Sequence, residues 1–303
     1  MFLPPIPNEL HSAMSRSKKK LDIYYQDFYY EMSFTQAYDT LQESLLFHMN
    51  NVALLVIKPD AVFMNRIPLI VQWLFSNGYE ILYMSELYVT HTQTTELWKY
   101  QWSAASIDRI IVNEKLMEMG HSFLLLLRNK EYTATNNDPL SVRLTEQKGA
   151  AKETLRLEYH LRSILKPLNI ILNYVHTADE PADVIREIGI LCGTYELSNV
   201  YASILSGHIK PYSMILEKIR NKIIPEVGKP EELLLSLWNS TRKELYDPDR
   251  AVIEKHLYDV VRNKRFLNLQ LLISAHVIKK WTWDWLVASS FLIQYDSNNL
   301  AIL

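Results

Sequence analysis

Between positions 52 and 191 short apolar runs alternate with stretches of helical period, in the order strand, helix, strand, helices, strand, helix, strand, helix. No other feature restricts the fold as much. The runs at 52–57, 79–89, 122–127 and 170–172 are strand-length and bounded by turn residues, whereas 66–75, 93–102, 106–119 and 181–191 space their apolar residues for one helical face. Asn77-Gly78 suits a left-handed helix end, and Gly120 stops the helix before the third strand. Asn136-Asn137-Asp138-Pro139 opens a further helix, with Asp138 as its N-cap and Pro139 as its first residue. This order suits a ferredoxin-like α/β sandwich with an antiparallel sheet.

Outside that block the pattern becomes helical. Residues 1–50 read as a helical extension rich in Tyr and Phe, and 196–303 as an all-α C-terminal region, with helices near 231–242, 250–262 and 267–280 and breaks at Pro225, Pro230 and Pro248. The domain reading is therefore 1–50, 51–195 and 196–303. The aromatics of the extension and the alternating Trp281, Trp283 and Trp285 read as packing residues rather than base-stacking surfaces.

Composition removes several function classes. Only seven glycines occur in 303 residues, and no Walker loop, Rossmann fingerprint or kinase Gly-rich loop is present, so side chains must hold any phosphate the chain binds. A net charge of −2 gives no general attraction for nucleic acid or an anionic membrane. One cysteine, Cys192, excludes an internal disulfide and a cysteine-based metal site and fits a reducing, cytoplasmic setting. The start Met1-Phe2-Leu3-Pro4-Pro5 lacks the pattern of a signal peptide, and Lys279, Lys280 and Asp284 interrupt the most apolar late segment, so no membrane association is expected. His121 and His160 have no ligand spacing that argues for a metal.

The chemistry concentrates at two places. Asn173-Tyr174-Val175-His176-Thr177-Ala178-Asp179 follows an apolar run, and Glu187 lies eleven residues after His176, where a helix can return its carboxylate to the imidazole. A histidine with one ring nitrogen fixed by a carboxylate can accept a phosphoryl group on the other. Far upstream, Val56-Ile57-Lys58-Pro59-Asp60 reads as a strand ending in a lysine and a turn.

Together these segments resemble the nucleoside diphosphate kinase family over about residues 52 to 193. The resemblance implies that His176 carries the phosphoryl group, Glu187 orients it, and Lys58, Arg162, Asn173 and Tyr100 contact the nucleotide or its phosphates, with Trp98 as the alternative to Tyr100. Lys148-Gly149 to Arg162 keeps the family's spacing from glycine to arginine. The pattern departs at Thr177 and Ala178 beside the histidine, at Ala151 where the family has a phosphate-binding threonine, and at Thr145, near Arg143, where it has another arginine.

The implied function is a phosphotransferase that moves the terminal phosphoryl group of a nucleoside triphosphate such as ATP to a nucleotide or other small-molecule acceptor. Magnesium would be bound through the nucleotide phosphates, with no protein metal site. Family members commonly form hexamers or tetramers, which makes a homo-oligomer an expectation. The alternative, favoured by Ala151 and Ala178, is a catalytically weakened nucleotide-binding or interaction module on the same fold.

Overall fold

The computed structural model describes residues 8–135, 138–218 and 227–297. The Met1 to Pro5 start, Asn136, Asn137 and Pro225, on which sequence expectations were placed, lie outside these residues. The chain divides into two compact units, one of residues 1–89, 121–167 and 173–223 and one of residues 90–120, 168–172 and 224–303.

The first unit is built on an antiparallel sheet of β1 (Ala53–Ile57), β2 (Tyr79–Leu87), β3 (Ser122–Asn129) and β4 (Val175–Thr177), in the order β2-β3-β1-β4. That is the ferredoxin-like arrangement. The unbroken apolar run of β1 records its place between β3 and β4, because a central strand covered on both faces has no solvent side to alternate with. Each Leu, Val or Ile of β1 is fully buried, which contributes roughly 1.5–3 kcal/mol per side chain.

Helices follow local chemistry. The helix Phe28–Leu41 starts at Asp27, whose Oδ1 accepts from the N–H groups of Tyr29 and Tyr30. The helix Ile67–Ser76 ends at Asn77, and Gly78 takes φ +75°, a left-handed conformation glycine enters without steric cost. The helix Pro181–Ser206 is interrupted at Gly193, where φ is +64° and ψ 174°.

Four sequence expectations need correction. Residues 170–172 are not a strand: the Asn169 side chain accepts from the N–H groups of Ile171 and Leu172 (both 2.9 Å), and both apolar side chains sit in the core of the second unit. The fourth strand is β4, so His176 lies on a strand opposite Val56 rather than in a loop. The helix expected at Asp138 begins one residue later, as Leu140–Lys148 with Pro139 as its cap. Of the helix expected over 267–280 only Leu269–Ser274 forms, followed by Trp283–Leu292.

The second unit is helical, with His91–Trp98, Ile107–Glu118, Pro230–Thr241, Asp247–Asn263 and the two short helices just given. Pro230 and Pro248 lie in the first turns of helices, where a missing N–H costs nothing. Val112, Leu116, Trp238, Leu257 and Trp285 are among its core residues, with Trp281 and Trp283 packed against them. No helix among the described residues is long and apolar enough to cross a membrane.

Candidate functional site

Two turns of the first unit, one leaving β1 and one entering β4, are laced together by main-chain contacts. The Lys58 N–H donates to the Tyr174 carbonyl (2.9 Å), and Asp60 Oδ2 accepts from the Tyr174 N–H (2.9 Å). Tyr174 holds φ +71°, a strained conformation for a non-glycine residue, costing on the order of 1–3 kcal/mol. The Lys-Pro-Asp turn thus holds β4 in place. Sequence reasoning missed Asp60, although its position two residues after the strand-end lysine was visible.

On β4 the His176 imidazole meets the helix Pro181–Ser206. Its Nε2 lies 2.9 and 3.0 Å from the two carboxylate oxygens of Glu187, which is nearly buried. With the proton on Nε2 donated to that carboxylate, the lone pair resides on Nδ1. The helix is itself anchored on the N-terminal side of this contact. Arg186 Nε donates to Asp27 Oδ2 at 2.8 Å, with both side chains almost wholly buried. At the helix start, Glu180 and Asp183 bind Lys20 (3.2 and 2.8 Å), and the Tyr24 hydroxyl donates to Asp183 (2.6 Å).

A second group of side chains brings positive charge to β4. Lys58 is buried, with Nζ 3.9 Å from Asp60 Oδ2; burial pushes its ammonium down to about 8, against the pull of Asp60 and with the help of Arg162. Burial likewise raises the Asp60 carboxyl. Arg162 donates to the carbonyls of Gly149 (2.9 Å) and Val175 (2.7 Å), the latter beside His176. Burial, then Arg156, lowers it to about 10, opposed by Asp60 and Asp179.

Lys148, which no sequence argument singled out, donates from Nζ to the Thr177 hydroxyl at 2.6 Å. Burial and then Arg162 bring its ammonium down to about 8, opposed by Asp179 and Glu187. Thr177 also shares a 2.7 Å hydrogen bond with Thr145, whose hydroxyl reaches the Ala178 carbonyl (3.2 Å). Two departures from the family pattern, Thr145 and Thr177, are therefore in contact with each other.

Among the described residues neither Lys148 nor Arg162 makes an ion pair. Buried cations without carboxylates are costly, by several kcal/mol per ion, and an anion relieves that cost. The arrangement is suited to binding a polyanion next to an imidazole whose nucleophilic nitrogen is set by a carboxylate.

The remaining expected residues are placed as follows. Asn173 precedes Tyr174, and its carbonyl accepts from the Val175 N–H (2.9 Å). Tyr100 and Trp98 belong to the second unit, where Tyr100 is buried and the Lys99 ammonium lies 5.5 Å from its ring centre. Ala151 gives its carbonyl to Arg156, and Arg143 stacks 4.4 Å from the Tyr132 ring centre. His121 pairs with Glu86 (2.8 Å), and His160 Nδ1 accepts from the Leu157 N–H (3.0 Å).

Comparison with known proteins places this segment. The family model described as nucleoside diphosphate kinase matches residues 51–197. Among solved structures, the chain is similar to the nucleoside diphosphate kinase of Aquifex aeolicus in an orthorhombic crystal form, at 17% identity and a TM-score of 0.39, covering 46% of this chain and 93% of that one. A halophilic nucleoside diphosphate kinase from Halobacterium salinarum in complex with CDP gives 14% identity and a TM-score of 0.34, covering 42% and 76%. The apo enzyme from Encephalitozoon cuniculi gives 15% and 0.38, covering 46% and 87%. A comparison with curated proteins finds no match.

Proposed function

Residues 51–197 form a divergent nucleoside diphosphate kinase-family domain, and from that premise we propose that the protein is a phosphotransferase working through a phosphohistidine at His176. The observation that carries this reading is the seating of His176 Nε2 on the Glu187 carboxylate, which leaves the lone pair on Nδ1. In the forward step Nδ1 forms a bond to the terminal phosphorus of a nucleoside triphosphate such as ATP. The bond from that phosphorus to its bridging oxygen breaks, and the diphosphate departs with the electron pair. Glu187 stabilises the imidazolium that develops. An oxygen of the acceptor, a nucleotide or other small molecule, then attacks the phosphorus, and the P–N electron pair returns to Nδ1.

The transferring group spreads negative charge over its outer oxygens, so fixed cations matter more than covalent help. Lys58 and Arg162 supply them, while Asn173 is assigned to the nucleotide. Among the described residues no group of three or more His, Cys, Asp or Glu gathers to hold a metal. The donor set is basic and Asp60 already accepts from Tyr174, so magnesium fits as a companion of the phosphates, where it would offset charge on the leaving diphosphate. Such chemistry belongs in the ATP-rich, reducing cytoplasm, and a homo-oligomer is the assembly the family resemblance suggests.

A second reading, a nucleotide-binding module without turnover, is favoured by one observation: both terminal nitrogens of Arg162 are engaged by main-chain carbonyls. Incubation with terminally labelled ATP separates the two. Acid-labile label on the wild type that disappears in His176→Ala is the expected result. Nucleotide binding with no label, or label indifferent to that substitution, overturns the transfer reading.

A further inference from the structure

Lys148 ends the helix Leu140–Lys148, a place where a lysine usually extends into water and complements the helix dipole. Here it is turned inward. The following residue, Gly149, has φ +82°, and a Cβ there would lie 2.7 Å from His160 Cβ and Nδ1, so the chain reverses closely enough to carry the lysine into the protein. Its hydrogen-bond partner is the neutral hydroxyl of Thr177, the residue after His176. A hydroxyl does not balance a charge. The nearby groups that act on it electrostatically are Arg162, which disfavours its charge, and Asp179 and Glu187, which favour it.

A lysine kept for stability alone would be seated on a carboxylate. This one is buried near Arg162, neither makes an ion pair among the described residues, and its hydroxyl partner belongs to the residue covalently adjacent to the histidine. We propose that Lys148 is a phosphate-binding residue of the His176 site, held by Thr177 until a phosphoryl oxygen of a nucleoside triphosphate takes over that contact. Thr145 secures the other side of Thr177 and so keeps the hydroxyl aimed at the lysine. This assignment rests on the reading of His176 as the phosphoryl acceptor, but its binding half can be measured without any turnover.

The experiment compares the full-length wild type with Lys148→Met and Lys148→Arg, using MgATP as the probe in calorimetry and thermal melting. Expected for Lys148→Met is MgATP affinity lowered about 10- to 100-fold, as for loss of a charged hydrogen bond. Its ligand-free melting temperature should rise above wild type, because an unpaired buried cation has been removed. Wild type should take up protons on binding MgATP at pH 8.5, measured in buffers of different ionisation enthalpy; Lys148→Met should take up fewer, and Lys148→Arg should restore affinity.

A purely structural lysine predicts the reverse: Lys148→Met melting below wild type with MgATP affinity and proton uptake unchanged. That outcome overturns the proposal, as does failure of wild type to bind MgATP. If labelled ATP leaves nothing on His176 while Lys148→Met still loses affinity, the transfer reading falls and the binding assignment stands. If His176 is labelled and Lys148→Met binds MgATP like wild type, the assignment falls alone.

Discussion

The two groups of charge that meet at β4 differ in one respect. On the side of the helix Pro181–Ser206, Arg186 is paired with Asp27, Lys20 with Glu180 and Asp183, and Glu187 with His176. On the other side, Lys148 and Arg162 rest on a hydroxyl and on carbonyl oxygens, and Lys58 stands 3.9 Å from its carboxylate. The first set is electrostatically closed and holds the helix that carries Glu187. In the second, Lys148 and Arg162 make no ion pair among the described residues, and burial pushes all three cations down. Closed charge builds structure, while the second set is the one the proposed nucleotide phosphates would complete.

The hardest test of the closed side is Asp27→Ala. It removes the carboxylate that accepts from buried Arg186 and the cap of the helix Phe28–Leu41. Breaking a buried pair costs about 3–5 kcal/mol and losing a cap about 1. Urea unfolding should report a loss in that range, together with weaker phosphorylation as Glu187 loses its support. A loss under about 1 kcal/mol would mean that the Asp27 pair is no more structural than the cations opposite.

A smaller effect is expected at the hinge that turns Lys148 inward. Gly149→Ala places a Cβ against His160 at a left-handed backbone position, so it should cost about 1–3 kcal/mol in urea unfolding. MgATP affinity should fall too, because the Gly149 carbonyl that fixes Arg162 shifts with it. Unchanged stability and affinity would show that the second set does not depend on this turn.

How far this division was legible in the sequence depends on how local its causes are. The contact of His176 with Glu187 and the place of Lys58 could be read because eleven residues let the helix after His176 return its carboxylate to the imidazole, and Lys58 ends an apolar run. The antiparallel α/β sandwich was legible in the alternation of elements, although its fourth strand is 175–177 rather than 170–172. Lys148 could not be read, since its burial comes from packing against Thr177, 29 residues away, and a lysine at a helix end ordinarily faces water. The run at 170–172 was misread because apolar composition does not reveal which of two cores will claim it. Asn169 decides the matter by satisfying the backbone that a strand would otherwise need to pair.

A pH titration of stability contrasts the two sides at lower amplitude. Lys58 and Lys148 lose their protons near pH 8 in the folded protein, against 10.5 ordinarily. Between about pH 8 and 10.5 the unfolded chain therefore binds more protons at these sites, and they make stability rise with pH. Saturating MgATP should flatten that rise, because the phosphates favour the charged lysines. A ligand-free rise that MgATP leaves unaltered would count against completion of the second set by phosphates.

The smallest effect lies on the acid side, where the closed network contains opposing contributions. Burial lifts the Asp183 carboxyl to about 6 despite Lys20 and Tyr24, so between about pH 4 and 6 the folded state binds more protons there and stability falls as pH rises. Glu180 goes the other way: although burial alone would raise it, Ser15, Lys20 and the Arg16 N–H together hold it below its ordinary value. Its contribution is present above the ordinary carboxylate range and is lost as pH falls through the folded value. The two oppose each other only below the ordinary Glu180 value of 4.5, so wild type should show a shallow acid limb there. Asp183→Asn removes the component that falls with pH and should leave a limb that rises more steeply from pH 4 to 6. An unchanged limb in that variant would mean that Asp183 does not titrate as a buried member of the network, and the closed side would be less closed than its distances indicate.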